Sequence, residues 1–249
     1  MLRKILKWIF LNLVSSMEII TYGSSSAGNC YVLKDNDQLL MLEAGINHKL
    51  IDDIADIDGL LLTHEHNDHA KYAKQIIDRC ASNLYCTKGT YDAMTSKPDS
   101  FRFMQVKSKQ AFNVKNWRVL PFDVEHDVAE PIGYLIDTPS KKRVLFATDT
   151  YFIRYKFKNI THLMIECNYH LDGLHKNFEN GLIDRKRYTR LLTSHFELGN
   201  VIQFLKANDL RKLEEIHLLH LSDSNSDAEF FREKIMSVTG VPVFISGSD

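Results

Sequence analysis

The stretch "LLLTHEHNDHAKYA" (Leu60 to Ala73) constrains this chain more than any other. An apolar run that reads as a buried strand ends in three histidines, a glutamate and an aspartate within the six residues His64 to His69. On an extended strand end, His64 and His66 sit two apart and point the same way. Asp68 and His69 follow at the turn into a helix. Neutral imidazoles and carboxylates are zinc-type ligands, and one short loop can aim them at a pair of neighbouring ions. Burying them without a cation would leave polar groups unpaired at about 1–3 kcal/mol each. A solvated loop is the bland alternative, but H-x-H-x-D-H after an apolar strand favours metal binding.

The surrounding pattern places this loop in a layered α/β chain. Met17 to Tyr22 alternates like a first strand, and "GSSSAGN" breaks it with small residues. Cys30 to Leu33 and Gln38 to Leu42 read as a hairpin, His48 to Ile54 as a short helix and Asp58 to Thr63 as a strand. Residues 69–79 and 89–96 turn helical. Further strands are expected at 84–86, 112–114, 117–122, 132–137, 143–147, 162–166, 215–219 and 243–246. Helices are expected at 177–192, 200–207 and 227–237. Strands come in clusters with helices between and after them, which favours two packed sheets with helices outside, within one domain.

Residues 1–16, "MLRKILKWIFLNLVSS", have a basic start and an apolar middle interrupted by Lys7. They read as an N-terminal extension or a start codon placed early. The competing reading is an amphipathic helix at a membrane surface. The stretch is too short to span a bilayer, so no stable membrane insertion is expected. The hydrolase-like domain is expected over 17–249. The four cysteines, Cys30, Cys80, Cys86 and Cys167, form no CxxC pair. They read as reduced, buried thiols in a cytoplasmic protein. The formal net charge of −1 gives no global basic field, so nucleic-acid binding would rest on a local patch.

The motif resembles the signature of the metallo-β-lactamase superfamily, whose fold is an αββα four-layer sandwich with metals at one edge of the sheets. The resemblance runs from Met17 to the C-terminus. "FDVEHDV" supplies the expected strand-end His126, "VLFATDT" the aspartate Asp149 and "IHLLHLSDSN" the late His220. By this resemblance His64, His66 and His126 would hold a first metal, Asp68, His69 and His220 a second, and Asp149 would bridge them. Two divalent ions per chain are implied, with zinc the best match to histidine-rich ligation and manganese or iron as alternatives. Such a pair, roughly 3.5–4 Å apart, lowers the pKa of a shared water and polarises a substrate oxygen. Asp68 would also orient the nucleophile or accept its proton.

Four further stretches, "GSSSAGNC", "MIECNYH", "SHFELGN" and "LLHLSDSN", resemble the YycJ/WalJ group within the superfamily. That resemblance implies a DNA exonuclease. Ser24, Ser25, Ser26 and Asn29 read as a donor-rich loop able to approach a phosphate, and Ser222 and Asn225 as further substrate contacts. His195 reads as a general acid, with a buried structural histidine as the alternative. In "DRKRYTR", Lys186, Arg187 and Arg190 are candidate contacts to a DNA backbone, and a solvated helix face is the alternative. The competing functions are a small-molecule hydrolase on the same fold (cyclic phosphodiesterase, lactonase or thioesterase) and a non-catalytic, metal-binding regulatory protein.

Overall fold

The computed structural model describes residues 17–52 and 54–247, so the expected N-terminal extension lies outside the described residues. Six strands form one sheet in chain order: β1 (Glu18–Ser25), β2 (Gly28–Asp35), β3 (Gln38–Leu42), β4 (Gly59–Leu61), β5 (Leu84–Cys86) and β6 (Phe103–Gln105). Its first three strands are antiparallel, and β3 to β6 are parallel. Seven strands form the second sheet: β7 (Phe112–Val114), β8 (Trp117–Asp123), β9 (Ile132–Asp137), β10 (Arg143–Ala147), β11 (His162–Glu166), β12 (Glu215–Leu219) and β13 (Val243–Ile245). It is antiparallel from β7 to β10 and parallel from β10 to β13.

The two-residue period of a strand sorts side chains between the faces. Leu40, Leu42, Leu61, Val144 and Phe146 point into the cluster between the sheets, with Tyr31, Trp117 and Tyr134. Their neighbours point outward. Met41, Leu60 and Leu62 pack under the short helices α1 (Asn67–Ala70) and α2 (Ala73–Ile77). The next helix is α3 (Lys88–Ala93), and α4 (Leu171–Glu179) and α5 (Arg185–Ser194) form a pair with a small core of their own. Leu145, Ala147, Leu163 and Ile165 pack under α6 (Leu198–Ala207) and α7 (Ala228–Thr239). The order helix, sheet, sheet, helix is the expected αββα sandwich.

The structure departs from several expected elements: at 48–54 it has a 3-10 turn, His48–Leu50, with Ile51 extended. The helix expected over 69–79 is two short helices. The Ala44 backbone accepts from Tyr72 N (2.9 Å) and donates to the His69 carbonyl (2.6 Å), diverting groups a continuous helix would use. The helix expected over 177–192 is also two, broken where Gly181 takes φ +70° and where Asp184 caps α5 by accepting from Arg187 N at 2.7 Å. "GSSSAGN" is a tight hairpin turn rather than a loop, with Ser25 paired to Gly28. The edge strand β6 was not expected.

Strands β3, β4, β8, β10, β11 and β12 all end at the same edge of the sandwich. The crossing of parallel strands there leaves a row of loops at carboxyl ends, where open α/β sheets gather polar chemistry.

Candidate metal centre

The strand ends at this edge deliver the polar groups. The β4 end carries His64 and His66, and α1 carries Asp68 and His69. The ends of β8, β10 and β12 carry His126, Asp149 and His220. Three donor groups result: Asp149, Glu166, His195 and His220 form one, and the expected ligands form the other two. His64, His66, His126 and Asp149 each offer an atom within 4.8 Å of the others, and so do Asp68, His69, Asp149 and His220.

Asp149 belongs to both expected groups through different oxygens. Its Oδ2 lies 3.9 Å from His64 Nε2 and 3.8 Å from His126 Nε2. Its Oδ1 lies 3.3 Å from His69 Nε2. His66 Nδ1 is 3.4 Å from His126 Nε2, and Asp68 Oδ2 is 3.4 Å from His69 Nε2 and 3.7 Å from His220 Nε2. Asp149 and His220 hold φ of +43° and +51°, a region that non-glycine residues enter at a cost. Hydrogen bonds fix the His220 backbone: its N–H donates to Ser24 Oγ (2.9 Å) and its carbonyl accepts from Asn168 Nδ2 (2.7 Å).

A layer behind the donors orients them. Thr63 Oγ1 pairs with His64 Nδ1 at 2.8 Å, and the Ser194 carbonyl with His126 Nδ1 at 3.1 Å. Glu43 Oε2 lies 3.6 Å from His69 Nδ1. Glu166 Oε1 lies 3.1 Å from His220 Nδ1 and 2.6 Å from His195 Nδ1. Glu166 also accepts from the backbone of Thr150 (3.0 Å) and Phe196 (3.2 Å). Close packing makes room for this: a Cβ on Gly45 would sit 1.8 Å from the Asp68 carbonyl oxygen.

The electrostatics call for positive charge. Asp68, Asp149, Glu43 and Glu166 converge, and among the described residues none is ion-paired to a lysine or arginine. Burial resists a charge on His69, but Asp149, Asp68 and Glu43 outweigh it and hold the imidazole well above its ordinary range. Burial likewise resists a charge on Asp149, but His220, His69 and His64 hold it well below the usual carboxylate range. Burial and the His69 charge keep His64 neutral, well below its ordinary value. His64 Nε2, which faces Asp149, is buried with no hydrogen-bond partner. A neutral, orphaned imidazole nitrogen beside a shared carboxylate suits a cation, so this donor set fits divalent metal.

A cavity of about 170 Å³ opens beside the Asp68, His69 and His220 group, lined by His195, His220, Arg187, Arg190, Ser26 and Ser222, among others. The other expected contact residues sit elsewhere. Lys186 lines a separate surface groove with Asp127 and Arg190. Ser24 and Asn29 are buried: the Ser24 hydroxyl accepts from Tyr31 (2.7 Å), and Asn29 Nδ2 lies 3.1 Å from His69 Nε2. Ser25 accepts from Ala27 N at 3.2 Å, within the turn. Asn225 is buried and donates to Ser222 Oγ at 3.0 Å, bracing a residue that lines the cavity.

Glu43 and Glu166 were not singled out from sequence. Each terminates an apolar run, "LLMLE" and "HLMIE", and a lone carboxylate at the buried end of a strand was the available signal.

The model of the β-lactamase superfamily domain matches residues 38–218. The chain is 26% identical over 238 residues to the exodeoxyribonuclease YycJ of Bacillus anthracis, covering 87% of this chain and 86% of that one. It is 26% identical over 233 residues to the exodeoxyribonuclease WalJ of Streptococcus pneumoniae, covering 83% and 82%. Among solved structures, the metallo-β-lactamase fold protein YhfI from Bacillus subtilis superposes with a TM-score of 0.69 at 17% identity, covering 93% of this chain and 96% of that one. Among the described residues, no helix is long and apolar enough to cross a membrane.

Proposed function

Since the chain belongs to the β-lactamase superfamily, a superfamily of metal-dependent hydrolases, we propose that it is a dinuclear phosphodiesterase that acts on DNA as an exonuclease. The observation that carries this reading is one of position: Arg187 and Arg190 line the same cavity as His195 and His220. Guanidinium groups there meet a phosphodiester at the donor cluster, which a lactone or thioester would not need. The names of the two curated relatives agree with it.

In this reading His64, His66 and His126 would hold one metal and Asp68, His69 and His220 the other, with Asp149 available to both groups. Zinc suits the histidine-rich donors best, with manganese or iron as alternatives. When bound, the cations supply Lewis acidity and activate water near neutral pH. The chain's own groups do the rest. Asp68, whose carboxylate is 23% exposed, orients the nucleophile or takes its proton. Arg187, Arg190, Ser26 and Ser222 seat the phosphate. His195 gives its Nε2 proton to the leaving oxygen, because Nδ1 is committed to Glu166.

The test is incubation with end-labelled duplex, end-labelled single strand and a chromogenic phosphodiester, with zinc or manganese supplied. Stepwise shortening of DNA from an end is expected. Turnover of a lactone or thioester with every phosphodiester left intact would overturn the reading in favour of a small-molecule hydrolase.

A further inference from the structure

The neighbouring residues His195 and Phe196 line two different cavities. His195 lines the one beside the donor cluster, and Phe196 lines the other, of about 230 Å³. We propose that this second cavity receives the nucleobase of the nucleotide next to the bond being cut, with Phe152 as its stacking platform. The inference rests on the DNA reading above and names the part of the substrate that reading leaves unplaced.

The chemistry of the walls suits a flat, polar-edged ring. Phe196 and Phe204 form an apolar floor, Tyr155 a side and Phe152 the lip. Phe152 is 52% exposed, belongs to no hydrophobic cluster and, among the described residues, stacks on no other ring. Its exposure is not the result of slack backbone. The Thr150 hydroxyl accepts from Phe152 N (3.3 Å) and lies 3.0 Å from the Phe152 carbonyl oxygen. The same hydroxyl accepts from Glu125 N at 3.0 Å, next to His126. A bare phenyl ring held this way offers stacking to any base. Asn200 and Gln203 add exposed amides whose side chains have no hydrogen-bond partner among the described residues. An amide presents both a donor and an acceptor, so it can serve every base edge without selecting one. Lys156, exposed at the rim and free of ion pairs among the described residues, adds a charge for the flanking phosphate.

The spacing agrees. Phe152 follows Asp149 by three residues, at most about 11 Å along the chain, and Phe196 follows His195 directly. One nucleotide can therefore lie with its phosphate at the donor cluster and its base in this cavity.

The test compares Phe152→Ala and, on the exposed face of α6, Gln203→Ala with the natural protein. The readout is the ratio of kcat/KM for an oligonucleotide to kcat/KM for a chromogenic phosphodiester that carries no base. The ratio should fall roughly tenfold in Phe152→Ala, as loss of one base-stacking contact predicts. It should fall less in Gln203→Ala, and neither loss should appear with an oligonucleotide whose terminal residue is abasic. A terminal 2-aminopurine, protected from cleavage by a phosphorothioate linkage, should be quenched by the natural protein and not by Phe152→Ala. An unchanged ratio in a natural background that does degrade DNA would overturn this inference alone. An equal penalty on abasic and intact ends would also overturn it. A natural protein that degrades no DNA would instead overturn the DNA reading itself.

Discussion

The Glu166 carboxylate joins two histidines that face different tasks: its Oε1 lies 2.6 Å from His195 Nδ1 and 3.1 Å from His220 Nδ1, all three side chains being buried. One anion therefore fixes the ring orientation of both a candidate proton donor and a candidate metal donor.

The first prediction concerns pH. Burial works against a proton on His195, but Glu166 outweighs it, with Asp149 adding to the effect, and the pKa stands at about 9. The proton is present below that value and lost above it, so an acid function is lost as pH rises. Cations bound beside His220 would oppose the same proton, so the basic limb of kcat/KM should fall at or below about 9. In His195→Asn that limb should vanish and kcat should drop about 10²–10⁴-fold. A mutant that keeps both the rate and the limb would remove His195 from the chemistry.

Glu166→Gln keeps the shape and removes the charge. It should lower kcat and shift the basic limb downward, because the imidazole loses its partner anion. Circular dichroism should stay unchanged while the pH profile moves. A purely structural Glu166 would lower stability with the profile in place.

Arg187→Ala and Arg190→Ala should each weaken DNA binding across all sequences. Each should reduce the slope of log affinity against log salt by about 0.7–0.9, the value per phosphate contact. Lys186→Ala, whose side chain lines the other groove, should change cleavage less than either. A titration series in salt, read by fluorescence anisotropy, checks this. Slopes identical to the natural protein's would place the phosphates elsewhere.

Gly45→Ala forces a methyl group onto the Asp68 carbonyl, the closest approach of any glycine to a neighbouring atom. Such overpacking costs about 1–3 kcal/mol, measurable by urea unfolding. Because α1 must shift, affinity at the Asp68, His69 and His220 group should fall more than at the His64, His66 and His126 group. Equal loss at both would mean that the strain spreads through the whole edge.

Much of this arrangement was legible in the sequence because ligand-type residues and strand ends carry strong local signals. His64 to His69 stand out beside an apolar run, and the strands at 84–86, 112–114, 132–137, 143–147, 162–166 and 215–219 match the structure residue for residue. What could not be read was tertiary. Nothing local says that the Ala44 backbone will pair with Tyr72 and His69 and divide a helix; the break at Gly181, by contrast, has a local signal in Asn180-Gly181 and the capping Asp184. The serine-rich turn read as a loop able to approach a phosphate, yet Ser24 is buried under His220 because the hairpin packs across the sheet edge. Arg187 and Lys186, adjacent in sequence, face different cavities, and only the helix's orientation decides which meets the donor cluster.

The central claim is that Asp149 is shared by two donor groups, and metal content tests it most directly. After reconstitution with zinc or manganese, native mass spectrometry of the natural protein should show two metal ions per chain. His64→Ala should retain mainly one, and Asp149→Ala should retain almost none while its circular dichroism stays close to that of the natural protein. A natural protein that binds no metal, or an Asp149→Ala variant that still carries two, would contradict it.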